Sequence, residues 1–324
     1  MISMIQQPDA EMQLPAPRKP QAPDVIRRFP VIEGDPATLL AFVQAKLPEM
    51  KRTRLKQMLR HDQIALDGVP VTDALSPLDP GDEVAVNFTR EFRIFRHRRL
   101  KLIYEDDDIL VVEKGYGLLS MGNESFRPGT DMHGAPRETA YSIMRDYLKW
   151  KDPSAKLFIV HRLDRDTSGL MMFAKNVEAK ETLQHNWNQM VLERKYVCVV
   201  EGCPEEPAGS VSSYLKENSK FEVFSLDKPE PGAKLAVTRY RTLRQGAGYS
   251  LEEVELDTGR KNQIRVHMKQ LGTPIAGDQR YGGHSCPAHR LCLHAQTLRF
   301  VHPVTRRMMS FTTPIPSPFL KLVK

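Results

Sequence analysis

Between about residue 102 and residue 313 the chain is a succession of short apolar runs separated by turn-forming segments. Runs of this length, bounded by turns, are typical of β-strands. Two helical patterns interrupt them, over about Glu138–Trp150 and Val177–Met190, and Asn176 is the predicted N-cap of the second. The strands outnumber the helices and do not alternate with them as βαβ units. The pattern therefore predicts an α+β domain over residues 101–318, with a mixed but mostly antiparallel sheet.

A smaller unit precedes this domain, over residues 35–90. Its sequence predicts helices at Thr38–Lys46 and Lys51–Arg60, a hairpin around Asp67-Gly68 and a strand at Glu83–Phe88. The first 30 residues contain six prolines and few apolar side chains. Such a composition buries too little surface to order a chain, so residues 1–30 are predicted to form a flexible arm.

Positive charge is concentrated in the smaller unit and just after it. The formal net charge is +7, and Lys and Arg are bunched in Lys51–Arg60 and Arg90–Lys101. Arg52, Lys56 and Arg60 are four residues apart and fall on one face of the predicted helix. A basic face predicts a polyanionic partner, with nucleic acid as the main candidate. The alternative is a helix face that is only solvated.

The sequence also bounds the compartment and the metal content. It has neither a signal peptide nor an apolar stretch of membrane-spanning length, which predicts a cytoplasmic protein with no membrane partner. Its four cysteines form no CxxC pair and are expected to be reduced. Cys286 and Cys292 lie among three histidines but lack the paired short spacings of structural zinc sites. We therefore predict no metal site.

The segment with the strongest chemical signal lies between two predicted strands, and it reads His161-Arg-Leu-Asp-Arg-Asp-Thr-Ser-Gly-Leu-Met-Met-Phe-Ala-Lys175. Charged loops between strands often carry function, and Gly169 permits tight backbone geometry. Asp164 and Asp166 are candidates for a nucleophile, a base or a pair of mutually orienting carboxylates. An Asp pair alone is weak evidence, because such residues commonly cap turns or form surface ion pairs.

The whole segment resembles the signature of the RluA family of pseudouridine synthases. Four later regions agree with the same family in the same order: Arg194–Gly202, Thr258–His267, Gly272–Tyr281, and Leu293–Ala295 with His302-Pro303. The resemblance covers about Leu102–Pro314. In front of it, the basic helix and the hairpin of residues 35–90 resemble the S4 RNA-binding domain. The chain departs from the family at Lys114-Gly115, where Lys-Pro is usual, and at Lys261-Asn262, where Thr-His is frequent.

This resemblance implies an enzyme that isomerises uridine to pseudouridine in structured RNA and needs no cofactor. The glycosidic bond breaks, the uracil rotates, and its C5 atom rejoins the ribose. The catalytic carboxylate maps to Asp164, and the arginine that pairs with the carboxylate maps to Arg265. The family's active-site tyrosine, which stacks on the target base and is a candidate base for the late proton removals, maps to Tyr196. Three positions would contact the substrate: Arg162 would take the place of the extruded base, and Ile264 and Leu293 would wall the uracil pocket. Arg52, Lys56 and Arg60 would bind RNA.

Other functions remain open at the level of sequence. A noncatalytic S4-type RNA-binding protein would explain the basic unit but not an intact set of Asp, Tyr and Arg. A hydrolase would need two carboxylates on opposite sides of a bond, which two aspartates so close in sequence do not readily provide. The sequence does not identify the target uridine. The S4-like unit favours ribosomal RNA over transfer RNA as the partner, and we expect a monomer.

Overall fold

A computed structural model describes residues 25–89, 91–92, 95, 97–122, 138–285 and 287–324. The segment 123–137, to which the sequence assigns no element, lies outside the described residues, as does Cys286. The chain divides into two compact units, Met1–Ile94 and Phe95–Lys324. Within the described ranges, no helix has both the length and the apolar character needed to cross a membrane.

The N-terminal unit pairs a four-stranded sheet with two short helices. Its elements are β1 (Ile26–Pro30), α1 (Leu39–Lys46), α2 (Arg52–Arg60), β2 (Ile64–Leu66), β3 (Val69–Pro70) and β4 (Glu83–Asn87), with strand order β1-β4-β2-β3. The predicted helices and the hairpin at Asp67-Gly68 are confirmed, with Asp67 and Gly68 both at positive φ. Leu55, Met58 and Leu59 of α2 are buried, which leaves its basic side chains on the exposed surface.

One part of the predicted arm is wrong. Residues 26–30 are not flexible but form β1, which pairs antiparallel with β4 from Ile26 opposite Asn87 to Pro30 opposite Glu83. The physical reason is main-chain pairing at a sheet edge, helped by Phe29, which packs on the core of this unit. Amino-acid composition alone does not predict such strand pairing. The preceding residues, 1–24, lie outside the described ranges.

The C-terminal unit is built on one large sheet. Its elements are β5 (Leu100–Glu105), β6 (Ile109–Lys114), α3 (Ala140–Lys151), β7 (Phe158–Ile159), β8 (Ser168–Ala174), α4 (Val177–His185), α5 (Trp187–Met190), β9 (Val191–Glu201), β10 (Ala208–Glu217), β11 (Val223–Leu226), β12 (Lys234–Gln245), β13 (Tyr249–Leu256), α6 (Gln263–Gln270), β14 (Leu293–Val301), β15 (Met308–Thr312) and α7 (Ser317–Leu322).

Strand order in this sheet is β11-β10-β12-β13-β9-β14-β8-β6-β5, with β15 on β14 and β7 on β8. Among the described pairs only β14 with β8 is parallel, so the predicted α+β class and mostly antiparallel sheet are confirmed. The predicted N-cap at Asn176 is also confirmed, since its side chain accepts a hydrogen bond from the Ala179 amide. The helix it begins ends sooner than expected, and a separate short helix, α5, follows. The sequence pattern did not predict β10, β11, α6 or α7.

The centre of the sheet is buried on both faces. Every residue of β8 is buried. Met171 and Phe173 face a core that includes Met144 and Leu148 of α3, whereas Leu170 and Met172 face the core around α4 and α5. A strand packed on both sides is a rigid support. The loop of residues 160–167, which leads into β8, is therefore anchored at a well-packed end.

Candidate active site

All six residues that the resemblance assigns to the active site or its substrate contacts line one cavity of about 510 Å³. They come from four places in the sequence. Asp164 and Arg162 lie in the loop before β8, and Tyr196 lies on β9. The remaining three are Ile264 and Arg265 of α6 and Leu293 of β14. The fold thus brings together segments that are separated by up to about 130 positions in the chain.

Backbone contacts hold the Asp164 loop on both sides of the carboxylate. The Ser120 hydroxyl donates to the Leu163 carbonyl at 2.6 Å and accepts from the Leu163 amide at 3.1 Å. The Thr167 amide donates to the Asp164 carbonyl at 3.2 Å and closes a turn. Because these contacts involve main-chain atoms, they fix the position of Asp164 without using its side chain.

Gly169 explains why the loop meets β14 so closely. Its φ is +117°, and a Cβ built there would lie 2.2 Å from the Ala295 carbonyl oxygen. Only glycine tolerates both conditions. The close approach lets β8 pair in parallel with β14, with Ser168 opposite His294. This pairing places the Asp164 loop beside Leu293, the first residue of β14.

The Asp164 carboxyl is under two opposing influences. Burial raises its pKa above the ordinary value, because removing a carboxylate from water disfavours the charged form. Positive charges on Arg265, Arg162, Lys114 and Lys261 lower it, in that order of effect. The net direction is upward. The cations therefore limit, but do not cancel, the tendency of the half-buried carboxyl to take up a proton.

Tyr196 lies near Asp164 in the cavity wall. Burial raises the pKa of its phenol, Arg194 lowers it, and the Asp164 charge raises it further. At neutral pH the side chain therefore keeps its proton. His161, also in the wall, has its pKa lowered to about 3 by burial and by Arg194. Its neutral ring accepts a hydrogen bond from the Met172 amide at 2.9 Å, so His161 braces the loop against β8.

The prediction that Arg265 pairs directly with Asp164 is wrong for this structure. The guanidinium instead donates two hydrogen bonds to Asp278, each of 2.7 Å, and the Asp278 carboxylate is fully buried. Burial would lower the pKa of Arg265, but Asp278 raises it, so the side chain is charged. Two parallel N–H···O bonds to a buried carboxylate outcompete a single approach to Asp164. Arg265 acts on Asp164 through its electric field.

Asn262 connects this pair to the rest of the site. Its side-chain oxygen accepts from Arg265 at 3.1 Å, and its amide donates to the Tyr281 hydroxyl at 3.0 Å. The Arg265 guanidinium also lies 4.8 Å from the centre of the Tyr281 ring. Asn262 has a φ of +54°, a conformation that Asn tolerates better than most residues. The sequence marked Asn262 only as a departure from the family pattern, and it assigned no role to Asp278.

Lys114 is a second residue that the sequence did not assign. It ends β6, is fully buried, and donates to the carbonyls of Leu118 at 2.8 Å, Arg165 at 3.0 Å and Gly115 at 3.1 Å. Burial lowers its pKa to about 7, against the opposing effect of Asp166 and Asp164. Three carbonyl acceptors suit the three protons of an ammonium, and this geometry favours the charged form. The available signal was a lysine at the end of a strand whose first four residues are apolar.

A cluster of possible metal ligands lies elsewhere in the unit. Within the described residues, Asp106, Asp108 and His302 offer atoms that lie within 4.8 Å of one another. Asp106 already accepts hydrogen bonds from Tyr104 at 2.8 Å and from His302 at 2.9 Å. These bonds account for the cluster as a structural brace. None of the three residues lines the cavity that contains Asp164.

Comparison with known proteins gives a consistent result. A profile of the family described as RNA pseudouridylate synthase matches residues 108–270. The uncharacterized RNA pseudouridine synthase YlyB of Bacillus subtilis is 32% identical over 288 residues, which cover 87% of this chain and 92% of that protein. The ribosomal large subunit pseudouridine synthase D of Haemophilus influenzae is 31% identical over 293 residues, or 85% of this chain and 87% of that protein.

The solved structure of human RNA pseudouridylate synthase domain containing 4 is similar in fold. Its TM-score is 0.55 at 22% sequence identity, and the match covers 68% of this chain and 90% of that chain.

Proposed function

Because the chain belongs to the RNA pseudouridine synthase family and is thus an isomerase acting on RNA, we propose that it converts specific uridines of ribosomal RNA to pseudouridine with Asp164 as the catalytic carboxylate. The observation that carries this proposal is the convergence of Asp164, Tyr196 and Arg265 on one cavity with three substrate-contact candidates. An intact constellation of this kind favours catalysis over RNA binding alone. It also favours isomerisation over hydrolysis, since Asp166 pairs with Arg165 and does not line the cavity.

Each residue has a defined part in the proposed reaction. Asp164, in its charged form, attacks or deprotonates the nucleoside so that the glycosidic bond breaks. Tyr196, as a protonated phenol, stacks on the uracil while it rotates, and Ile264 and Leu293 pack against the base. The C5 atom then bonds to the ribose carbon that N1 has left, and the C5 proton moves to solvent as N1 takes one up. No atom is gained or lost.

The target base must leave its helix before it can enter the cavity. Extrusion of a base is the usual solution for enzymes that act on one nucleotide of a structured nucleic acid. Arg162 is exposed in the same loop as Asp164 and is proposed to fill the space that the extruded base leaves. The cavity volume of about 510 Å³ is in the range of small-molecule sites and is ample for one nucleoside.

Ribosomal RNA is the proposed substrate on two grounds. Several relatives, including those of Haemophilus influenzae and Pasteurella multocida, are described as ribosomal large subunit pseudouridine synthase D. The N-terminal unit, which we propose to be an S4-like RNA-binding domain, exposes Arg52, Lys56 and Arg60 on α2. Transfer RNA is the alternative substrate. The cytoplasmic location and the monomeric state stay predictions.

The test combines a substitution with RNA mapping. Asp164→Asn preserves the volume of the side chain and removes its charge, so it should abolish pseudouridine formation while the protein stays folded and binds RNA. Pseudouridines would be mapped at nucleotide resolution in cells that lack the gene and are complemented with either form. A ribosomal site restored by wild type alone supports the proposal. Restoration of the site by the Asn variant would exclude the catalytic role of Asp164. If wild type restores a transfer RNA site and no ribosomal site, the substrate is transfer RNA and not ribosomal RNA.

A further inference from the structure

The tip of the hairpin between β10 and β11 presents an aromatic side chain that neither packing nor local turn chemistry explains. Phe221 is 70% exposed and has a φ of +59°. Six non-glycine residues among those described have positive φ, and Phe221 alone of them has an apolar side chain. An exposed phenylalanine in the left-handed region is unfavourable twice, through hydration of the ring and through backbone strain.

The geometry of the turn around Phe221 favours a different residue type at this position. The Phe221 amide donates to the Asn218 carbonyl at 3.0 Å, and the Asn218 amide donates to the Glu222 carbonyl at 2.9 Å. Strand pairing resumes with Glu217 opposite Val223. A tight turn followed by one residue at positive φ is a common hairpin connection, and glycine is the preferred residue at that last position. Strained positions of this kind concentrate at functional sites.

The structure also fixes the position of the ring relative to the active-site cavity. The Lys261 ammonium lies 5.7 Å from the centre of the Phe221 ring, and Lys261 lines the cavity. The Arg280 guanidinium donates to the Phe221 carbonyl at 2.7 Å and ties the hairpin tip to the segment that contains Asp278. Lys261 is held in turn by an ion pair with Glu217. The ring is therefore presented on a braced turn beside the cavity.

We propose that Phe221, together with Lys261, forms a platform on which an unpaired base of the RNA, close to the target uridine, stacks during catalysis. The proposal rests on the proposed function. An aromatic face beside a cation is what single-stranded nucleic-acid sites use, because every base has a π-face and every nucleotide carries a phosphate. The neighbouring Lys220 is exposed and available to that phosphate. Stacking at this place would hold the RNA open while the uridine occupies the cavity.

Three variants separate stacking from hydrophobic contact and from folding. Phe221→Leu keeps an apolar side chain and removes the aromatic face, whereas Phe221→Trp keeps an aromatic face. Phe224→Leu is the matched control, since Phe224 lies on the same hairpin and is 38% exposed. The probe is protein-free large-subunit ribosomal RNA from cells that lack the gene, assayed under single-turnover conditions below saturation. We expect Phe221→Leu to lower the rate by roughly tenfold, and the Trp and control variants to stay within about twofold of wild type.

A fourth variant tests the strain argument. Phe221→Gly relieves the left-handed conformation, so its melting temperature should equal or exceed that of wild type while its rate falls as far as that of Phe221→Leu. A purely structural role for Phe221 would lower both. The platform is overturned if Phe221→Leu matches wild type, if Phe221→Trp loses as much rate as Phe221→Leu, or if Phe221→Gly loses stability.

Failure of the proposed function gives a different result. If wild type forms no pseudouridine in this RNA, the synthase assignment to ribosomal RNA fails, and the platform is judged by filter binding of the same RNA. Weaker binding by Phe221→Leu than by Phe224→Leu then supports the platform, and equal binding by the two overturns it.

Discussion

The carboxyl of Asp164, the proposed catalytic group, is influenced by several cations at a distance and not by one contacting partner. Arg265 has the largest of these effects, yet its hydrogen bonds go to Asp278 and Asn262. This arrangement separates two tasks. Asp278 holds the guanidinium in place, and the guanidinium lowers the pKa of a carboxyl that it does not contact.

The first prediction concerns this field. Arg265→Gln removes a positive charge, so the pKa of Asp164 should rise further and the acid limb of the single-turnover rate profile should move to higher pH. The rate relative to wild type should therefore recover as pH increases, while RNA affinity changes little. Arg265→Lys keeps the charge and should leave the acid limb close to that of wild type. A loss of affinity with an unchanged rate at saturation would instead make Arg265 a phosphate contact.

The same substitution has a cost in stability, which needs its own measurement. Arg265→Gln leaves the buried Asp278 carboxylate without its cation, and removal of one partner from a buried pair typically costs about 3–5 kcal/mol. Both tryptophans, Trp150 and Trp187, lie in the C-terminal unit, so their fluorescence reports its unfolding in urea. The double variant Arg265→Gln, Asp278→Asn should regain part of the loss. No recovery would mean that the pair does not carry this stability.

A third prediction at the residue scale concerns Asn262. Asn262→Gly accepts the positive φ but deletes both side-chain hydrogen bonds, so it should lower the rate at saturating enzyme through misplacement of Arg265. Asn262→Asp keeps the oxygen that accepts from Arg265 and should retain more of the rate than Asn262→Gly. If the two variants behave alike in single-turnover assays, the contact with Arg265 does not position it.

At the scale of elements, the junction of β8 with β14 decides where the Asp164 loop lies. These two strands form the parallel pair of the described sheet, and they meet at Gly169 and Ala295. The loop leaves β7, passes the cavity, and enters β8 at this junction. Any change that separates the two strands would displace Asp164 from Leu293 and from the cavity wall.

Gly169→Ala tests this junction. The new Cβ would lie 2.2 Å from the Ala295 carbonyl oxygen, so the strands must separate. Gly117→Ala is the matched control, since Gly117 has a φ of +74° but no atom within 4 Å of a new Cβ. In the control, the free energy of unfolding should fall only by the conformational cost of the left-handed backbone, about 1–2 kcal/mol. Gly169→Ala should lower the free energy of unfolding, measured in urea, clearly more than the control does. It should also lower activity, measured as pseudouridine formation. Equal losses would show that the close approach is not limiting.

At the scale of the whole molecule, function divides between a unit that is proposed to bind RNA and a unit that carries the cavity. The basic helix α2 lies in the N-terminal unit, and the catalytic candidates lie in the C-terminal unit. Phosphate contacts supply affinity with little sequence information, whereas contacts to bases specify the nucleotide. The two contributions should therefore respond differently to salt.

The corresponding prediction replaces Arg52, Lys56 and Arg60 by Ala together. RNA binding should weaken. The slope of the logarithm of the binding constant against the logarithm of salt concentration should become shallower by about 2–3, because fewer counterions are released. The rate at saturating enzyme should stay near that of wild type. Alanine at Lys149, Lys321 and Lys324, three exposed lysines of the C-terminal unit, is the control. A salt slope that changes no more than in the control would place the RNA elsewhere.

Sequence by itself determined the features that depend on local pattern. The period of apolar residues predicted most of the strands and helices, and the ordered motifs predicted the family and the residues that line the cavity. The helix face of Leu55, Met58 and Leu59 and the turn at Asp67-Gly68 follow from spacing and from residue type alone. Each of these signals is contained in a short stretch of chain.

Only the tertiary structure decided which side chains are partners. Arg265 binds Asp278 because α6 and the segment after it fold against each other. The local sequence does not show whether Arg265 pairs with Asp278 or with Asp164. Lys114 reaches the Arg165 carbonyl across 51 residues. The strand β1 forms from residues whose composition suggested disorder, because β4 offers its edge. In each case the deciding energy comes from a group distant in sequence, so it appears only once the chain is folded.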